Sequence, residues 1–174
     1  MNQHRDAEFT DFVADHGGHL LRTACLVTGD AHLGEDLLQT ALAKAYGSWD
    51  KVCRAEHPVA YVRRLMVNAH LSWLRRPAST ERVVETFPDR GTGDFSAAHA
   101  GTDRLRTALL GLAPRVRTAV VLRYFDDLSE ADTAELMGCS RSTVNNHVTR
   151  GLAALRGLLA PAADDLAPAN GRNQ

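Results

Sequence analysis

The sequence is poor in cysteine, aromatic residues and lysine, and no stretch of it is long and apolar. The three cysteines, Cys25, Cys53 and Cys139, lie far apart, and their odd number and spacing argue against a disulfide framework. No run of about 18 apolar residues is present, so no segment is expected to span a membrane. The first residues, MNQHRDAEFTDF, lack the apolar core of a signal peptide. We therefore expect a cytoplasmic protein with reduced thiols and no membrane insertion.

The sequence patterns of common metal sites and catalytic centres are also missing. Neither H-E-x-x-H nor C-x-x-C occurs. His16 and His19 are three residues apart and could contact a metal, but no further ligand set joins them. These histidines and the acid pairs at 35–36 and 126–127 are the evidence for one alternative, a small metal-dependent or acid–base enzyme. We expect no catalytic residues, no metal and no cofactor.

The chain as a whole has almost no net charge, but individual segments of it do. The 174 residues carry 20 basic and 21 acidic side chains, which excludes a uniformly basic nucleic-acid coat. Residues 1–56 sum to −4 and residues 57–90 to +3, while residues 138–157 contain three arginines and no acid. This segregation is typical of a chain with an acidic docking face and two nucleic-acid contacts, or of ordinary variation among solvated helices. Of the 20 basic residues 18 are arginine, which reflects either a GC-rich genome or bidentate phosphate and guanine binding.

Apolar residues recur at steps of three and four along most of the chain, which predicts helices and no strands. A first helix is expected over 7–28, a second from Leu33 to Trp49, and a third from Pro58 to the Arg75-Arg76-Pro77 stop. The fold class is therefore all-α, with two small helical domains joined by a flexible linker. The predicted boundaries are a first domain at 1–76, a linker at 77–103, a second domain at 104–158 and a disordered tail at 159–174.

The segment SEADTAELMGCSRSTVNNHVTRGLAALR predicts a helix–turn–helix. Ser129 and Ser140 are candidate N-caps of its two helices, and Gly138 suits the tight turn between them. One face of the second helix is apolar, through Val144, Val148, Leu152 and Leu155. The opposite face is polar, and its amide and guanidinium groups could read base edges in the major groove; it carries Ser142, Asn145, Asn146, Thr149 and Arg150. A plain helical hairpin with a polar face is the structural alternative.

The longer segment LAPRVRTAVVLRYFDDLSEADTAELMGCSRSTVNNHVTRGLAALR resembles the C-terminal domain, region 4, of bacterial RNA polymerase sigma factors. Arg117 after Ala113-Pro114, the run Leu122-Arg123-Tyr124, and the stretch from Arg150 to Arg156 occupy the positions of the family pattern. The resemblance implies binding to the −35 promoter duplex and to the β flap of the polymerase. The candidate −35 residues are Arg141, Ser142, Thr143, Asn145, Asn146, Thr149 and Arg150. Some relatives have arginine at Asn145, so a different −35 sequence or a weaker phosphate grip is implied.

The segment TGDAHLGEDLLQTAL resembles the signature G-D-x-x-x-A-E-D-L-x-Q-x-x-F of sigma factor region 2. In that family the helix docks on the clamp helices of the polymerase β′ subunit. The resemblance implies that the core-polymerase contacts are Asp30, Glu35, Asp36 and Gln39. Gly34 replaces the usual alanine, and Thr40 replaces an acid that often follows the glutamine, so docking is expected to be somewhat altered or weaker.

The third predicted helix, PVAYVRRLMVNAHLSWLRR, resembles the −10-reading part of the same family. Its arginines could hold phosphates, its aromatic side chains could stack on unpaired bases or belong to the core, and its amide matches a position lining a flipped-base pocket. The candidates are Tyr61, Arg63, Arg64, Asn68, Trp73, Arg75 and Arg76.

Only regions 2 and 4 are recognisable, which resembles the extracytoplasmic-function (ECF) sigma factors and, among them, the SigE-type subgroup. The resemblance implies a factor without enzymatic activity that binds core RNA polymerase and directs initiation at particular promoters. Core polymerase and promoter DNA are the implied partners, and an anti-sigma factor is a further candidate. A stand-alone helix–turn–helix regulator that binds duplex DNA without polymerase is the alternative from another class.

Overall fold

The computed structural model describes residues 2–76 and 100–160, and within these ranges the chain forms eight helices and no strand. This confirms the predicted all-α class. None of these helices is long and apolar enough to cross a membrane. The helices are α1 (Asn2–Thr28), α2 (Ala31–Gly47), α3 (Trp49–Arg54), α4 (Pro58–Arg75), α5 (Ala100–Leu110), α6 (Pro114–Tyr124), α7 (Glu130–Met137) and α8 (Arg141–Leu159).

Helices α1 to α4 share a first core, in which the predicted apolar stripes of three helices meet. Its fully buried members include Leu20, Ala24 and Val27 of α1, Leu37, Ala41 and Ala45 of α2, and Val62 and Met66 of α4. Burying one such leucine, valine or methionine stabilises the fold by about 1.5–3 kcal/mol. This core fixes which faces of α2 and α4 remain outside.

Several helix boundaries differ from the sequence prediction. Helix α1 begins at Asn2 instead of residue 7. The second predicted helix is two helices, because α2 ends at Gly47 and Trp49 begins the separate short helix α3. Residues 100–103, predicted as linker, are the first residues of α5. The remaining predicted linker, 77–99, and the tail from 161 onward lie outside the described residues.

Helices α5, α6 and α8 surround a second core of Ala108, Leu109, Leu112, Val116, Val120 and Leu155. Gly151 allows α8 to approach α6 closely, since a Cβ atom there would lie 2.5 Å from Cγ2 of Val120. This close crossing fixes the orientation of α8, whose outer face is the predicted DNA reader.

The two halves are packed together, a feature absent from the sequence prediction. Val67 and Leu71 of α4 are buried with Ala119 and Leu122 of α6 and with Met137 of α7 in a shared cluster. The Arg117 guanidinium, only 7% exposed, donates to the backbone carbonyls of Val27 at 3.1 Å and Thr28 at 3.0 Å. Apolar burial and hydrogen bonds therefore join α1 and α4 to α6 and α7.

Candidate polymerase and promoter surfaces

The turn between α7 and α8 has the geometry of a helix–turn–helix. Ser129 Oγ accepts a hydrogen bond from the Asp132 backbone N–H at 3.0 Å, and Ser140 Oγ accepts one from the Thr143 N–H at 3.1 Å. Gly138 ends α7 in the left-handed region, at φ 62°, where a side chain would add strain. The predicted caps and turn are confirmed.

Helix α8 turns its apolar stripe inward and its polar face to solvent. Val144 is fully buried and Leu155 is 8% exposed, whereas six of the seven candidate −35 side chains are exposed. The seventh, Thr143, is half-buried, and its hydroxyl lies 2.8 Å from that of Ser140. The structure thus brings Arg141, Ser142, Asn145, Asn146, Thr149 and Arg150 together on one accessible helix face.

Arg115, at the start of α6, adds positive charge beside this face, which the sequence reasoning missed. Burial lowers the pKa of His147, and the guanidiniums of Arg150 and Arg115 lower it further. A cavity of about 390 Å³ is lined by all three side chains and by Leu74 at the end of α4. Arg115 is far from α8 in sequence and lies outside the acid-free stretch 138–157, so no local signal identifies it.

Helix α2 presents an acidic outer face. Glu35, Asp36 and Gln39 are exposed, while Leu37, Leu38 and Ala41 on the opposite side are buried. Asp30 is also exposed, but its carboxylate caps α2 by accepting the Leu33 N–H at 2.8 Å. The structure therefore brings all four candidate docking residues to the first three turns of one helix.

The negative field of this face extends to its neighbour Cys25. Burial raises the pKa of the Cys25 thiol, and the carboxylates of Glu35 and Asp30 raise it further. Gly34 faces the same cysteine, because a Cβ atom there would lie 2.8 Å from the backbone N and Cα of Cys25. The departure from the family's alanine thus coincides with an unusually close contact between α1 and α2.

The candidate −10 residues are divided between solvent and protein contacts. Asn68 and Arg75 of α4 and Arg76, which directly follows the helix, are exposed. Tyr61 and Trp73 are half-buried against the first core, so their packing is clear and their stacking on bases stays a prediction.

The other two candidates, Arg63 and Arg64, contact acids of the second half. Arg63 Nε lies 3.0 Å from Asp126 Oδ2, and its side chain is 12% exposed. Arg64 forms an exposed ion pair with Glu135 of α7. In this arrangement the two arginines therefore already have anionic partners.

Asp126, in the turn after α6, is a site residue that the sequence reasoning missed. Its side chain is fully buried, and Oδ1 accepts a hydrogen bond from Thr23 Oγ1 at 2.8 Å. The same oxygen lies 2.8 Å from His19 Nε2. From the sequence, the acid pair at 126–127 indicates only the enzyme alternative. Its partners lie on α1 and α4, more than 60 residues away, so no local signal identifies them.

Metal ligands do not accumulate anywhere in the described part of the chain. No group of three or more histidine, cysteine, aspartate or glutamate side chains there could hold a metal ion. His19 instead stacks on Phe125, with ring centroids 5.1 Å apart, and contacts Asp126. Within the described residues, His19 therefore has an aromatic and a carboxylate neighbour and belongs to no group of possible metal ligands.

Solved structures share this fold. The sigma factor RpoE in complex with the anti-sigma factor NepR from Bartonella quintana aligns with a TM-score of 0.71 at 22% identity, over 87% of this chain and 96% of that one. CnrH in complex with the cytosolic domain of CnrY aligns with a TM-score of 0.59 at 21% identity, over 93% of this chain and 91% of that one.

Sequence comparisons give the family. Residues 12–80 match Sigma-70 region 2, and residues 102–155 match Sigma-70, region 4. The RNA polymerase sigma-E factor of Streptomyces avermitilis is 38% identical over 86% of this chain and 83% of its own length. That of Streptomyces coelicolor is 37% identical over 86% and 84%. With two sigma-70 regions and such relatives over most of its length, the chain belongs to the RNA polymerase sigma factors of the extracytoplasmic-function (ECF) type.

Proposed function

We propose that this chain binds core RNA polymerase through α2 and directs it to promoters that α8 reads at −35 and α4 reads at the melted −10 element. One observation carries the proposal: a single chain presents an exposed acidic, amide-bearing helix face and a separate helix–turn–helix with an exposed polar face. The chain acts by binding, and the polymerase performs the chemistry. The β flap and an anti-sigma factor are further proposed partners.

The acidic face of α2 suits a basic partner. Glu35 and Asp36 offer carboxylates and Gln39 an amide along one side of a helix whose opposite side is packed in the first core. Complementary charge mainly accelerates encounter and fixes orientation, while the fit of the buried centre sets affinity. We assign this face to the clamp helices of the β′ subunit.

The polar face of α8 suits a DNA major groove. Asn145 and Asn146 can pair with adenine edges, and Arg150 and Arg141 can bind guanine edges or phosphates. The caps at Ser129 and Ser140 fix the residues at which α7 and the reading helix α8 begin. The side chains of Asn68 and Arg75 on α4 and of Arg76 just after it are exposed to solvent and would contact the unpaired −10 strand.

Reconstituted transcription separates this function from the stand-alone regulator. Purified chain added to core polymerase should start run-off transcription from a subset of a promoter library. A stand-alone regulator would instead bind duplex DNA tightly by itself and would not associate with core. That second result would overturn the proposal.

Reversing charge on the docking face should weaken core binding. We expect Asp36→Lys to raise the Kd for core polymerase about tenfold or more, because a cation would oppose the basic partner surface. Glu56→Lys is the matched control, since it makes the same charge change at an exposed position in the loop before α4. Affinity measured by fluorescence anisotropy should fall for the first variant only. Equal affinities for the two variants would remove the docking role from α2.

Removing one arginine side chain from the reading helix α8 should weaken binding to the −35 element. We expect Arg150→Ala to lower initiation about tenfold, as loss of a phosphate or guanine contact removes about 1–3 kcal/mol. Arg156→Ala is the control, because this arginine is exposed on the same helix but lies in its last turn. Run-off transcription with a fixed promoter measures both. A larger loss from Arg156→Ala would contradict the assigned reading face.

A further inference from the structure

Two consecutive arginines of α4 lie against carboxylates of the opposite half. Arg63 faces Asp126 from the turn after α6, and Arg64 faces Glu135 from α7. A carboxylate and a phosphate present similar oxygen acceptors to a guanidinium, so each can take the place of the other. The acids therefore stand where phosphates of a −10 strand would be held.

Asp126 is the better anchored of the two acids. Its side chain is fully buried and contacts Thr23 and His19 of α1 as well as Arg63 of α4. A buried carboxylate is stable only while such partners surround it, because it has lost its water. Separating the halves would break all of these contacts together. The exposed Arg64–Glu135 pair is screened by solvent and contributes much less.

The surrounding packing makes this arrangement a defined state. Val67 and Leu71 are buried against Ala119 and Leu122 in the cluster between the halves. Arg117 ties the end of α1 to α6 through two carbonyls. At the other end of α6, just after Tyr124, Asp126 contacts α1 and α4. The polar contacts at the two ends of α6 fix one register of its packing on α1 and α4.

We propose that this closed arrangement is a self-inhibited state, with Asp126 as the latch that covers the phosphate-binding arginines of α4. The proposal rests on the proposed −10 role of α4. A strand can bind Arg63 only when Asp126 has left, so the affinity of the chain for DNA is reduced by the fraction of molecules that are open. Core polymerase would release the latch if it binds the separated halves better than the closed pair.

The test compares Asp126→Asn with Asp127→Asn in the full-length chain. Both variants make the same charge change in the same turn, and Asp127 is exposed with a positive φ of 51°, which asparagine tolerates. Spin labels go on the exposed Cys53 of α3 and on a cysteine introduced at the exposed Ala153 of α8, with Cys25 and Cys139 replaced by alanine. Double electron–electron resonance then reports the distance between the halves.

We expect Asp126→Asn to shift the distance distribution to longer values, while Asp127→Asn matches the parent chain. A mixed-sequence single-stranded DNA is the second probe, and its affinity for free Asp126→Asn should rise about tenfold. An unchanged distance in a variant with the parent's circular dichroism would overturn the latch. A longer distance without tighter DNA binding would overturn the covering of the arginines.

Thr23→Val keeps the proposal testable if Asp126→Asn does not fold. It is nearly isosteric at a fully buried position and removes only the hydroxyl that donates to Asp126. We expect the same lengthening with a smaller, severalfold gain in DNA affinity, and no change would count against the latch. Failure of the parent chain to support transcription with core would overturn the proposed function, while the distance measurement would still report the latch.

Discussion

Gly34→Ala is expected to lower the free energy of unfolding by about 2 kcal/mol, the net of a steric loss and a smaller helical gain. The added Cβ would lie 2.8 Å from the backbone N and Cα of Cys25 and 2.6 Å from its Sγ. A backbone cannot move aside as a flexible side chain can, so α1 and α2 must separate. Leu37, Leu38 and Ala41, which follow on the buried side of α2, would lose packing as they do.

Gly47→Ala is the matched control in the same helix. No atom lies within 4 Å of a Cβ built at Gly47, so this variant should be neutral or up to about 1 kcal/mol more stable through helix propensity. Urea unfolding followed by circular dichroism measures both. If Gly34→Ala proved as stable as Gly47→Ala, the close contact between α1 and α2 would not exist in solution.

Local features of the fold were predictable because their causes are local. Ser129 and Ser140 cap helices whose first N–H groups lie two or three residues on, and Gly138 adopts a turn that its own backbone permits. The apolar spacing of α1, α2 and α4 likewise determined which faces are buried. The faces opposite the buried ones are exposed, so the same spacing also predicted that the candidate residues of α2 and α8 would be accessible.

The packing of the two halves was not predictable because its partners are distant in sequence. Arg117 meets Val27, and Asp126 meets Thr23, across about 90 and 103 positions. One signal was present in the sequence, since the four consecutive apolar residues from Ala119 to Leu122 point to nearly every side of α6. Every residue from Val116 to Leu122 is buried, which requires neighbours all around the helix. Neither half alone could supply them.

The pH dependence of stability should identify the buried histidine of this junction. His70 of α4 is 3% exposed, and its Nε2 has no hydrogen-bond partner among the described residues. Burial lowers the pKa of His70 to about 4, and the nearby Arg117 guanidinium contributes to this shift. Because the folded-state pKa lies below the unfolded value of 6.5, the neutral imidazole stabilises the fold fully above pH 6.5. This contribution is lost progressively as the pH falls toward 4.

The expected loss between pH 6.5 and 4 is up to about 3 kcal/mol, the free energy equivalent of the pKa difference. His70→Leu cannot be protonated and fills the site with apolar volume, so its stability should fall less over this range. His32→Leu changes an exposed histidine of α2 and should retain the parent's full loss. Urea unfolding at a series of pH values gives the three curves.

Carboxylates also titrate near pH 4, but they are the same in all three proteins. The difference between the parent and His70→Leu curves therefore isolates the imidazole, and parallel curves would show that His70 is hydrated in solution. His70 lies between Val67 and Leu71 in the sequence of α4, so opening of the cluster between the halves is expected to hydrate it. A difference between the two curves is thus the result expected of the closed packing, in which His70 is 3% exposed.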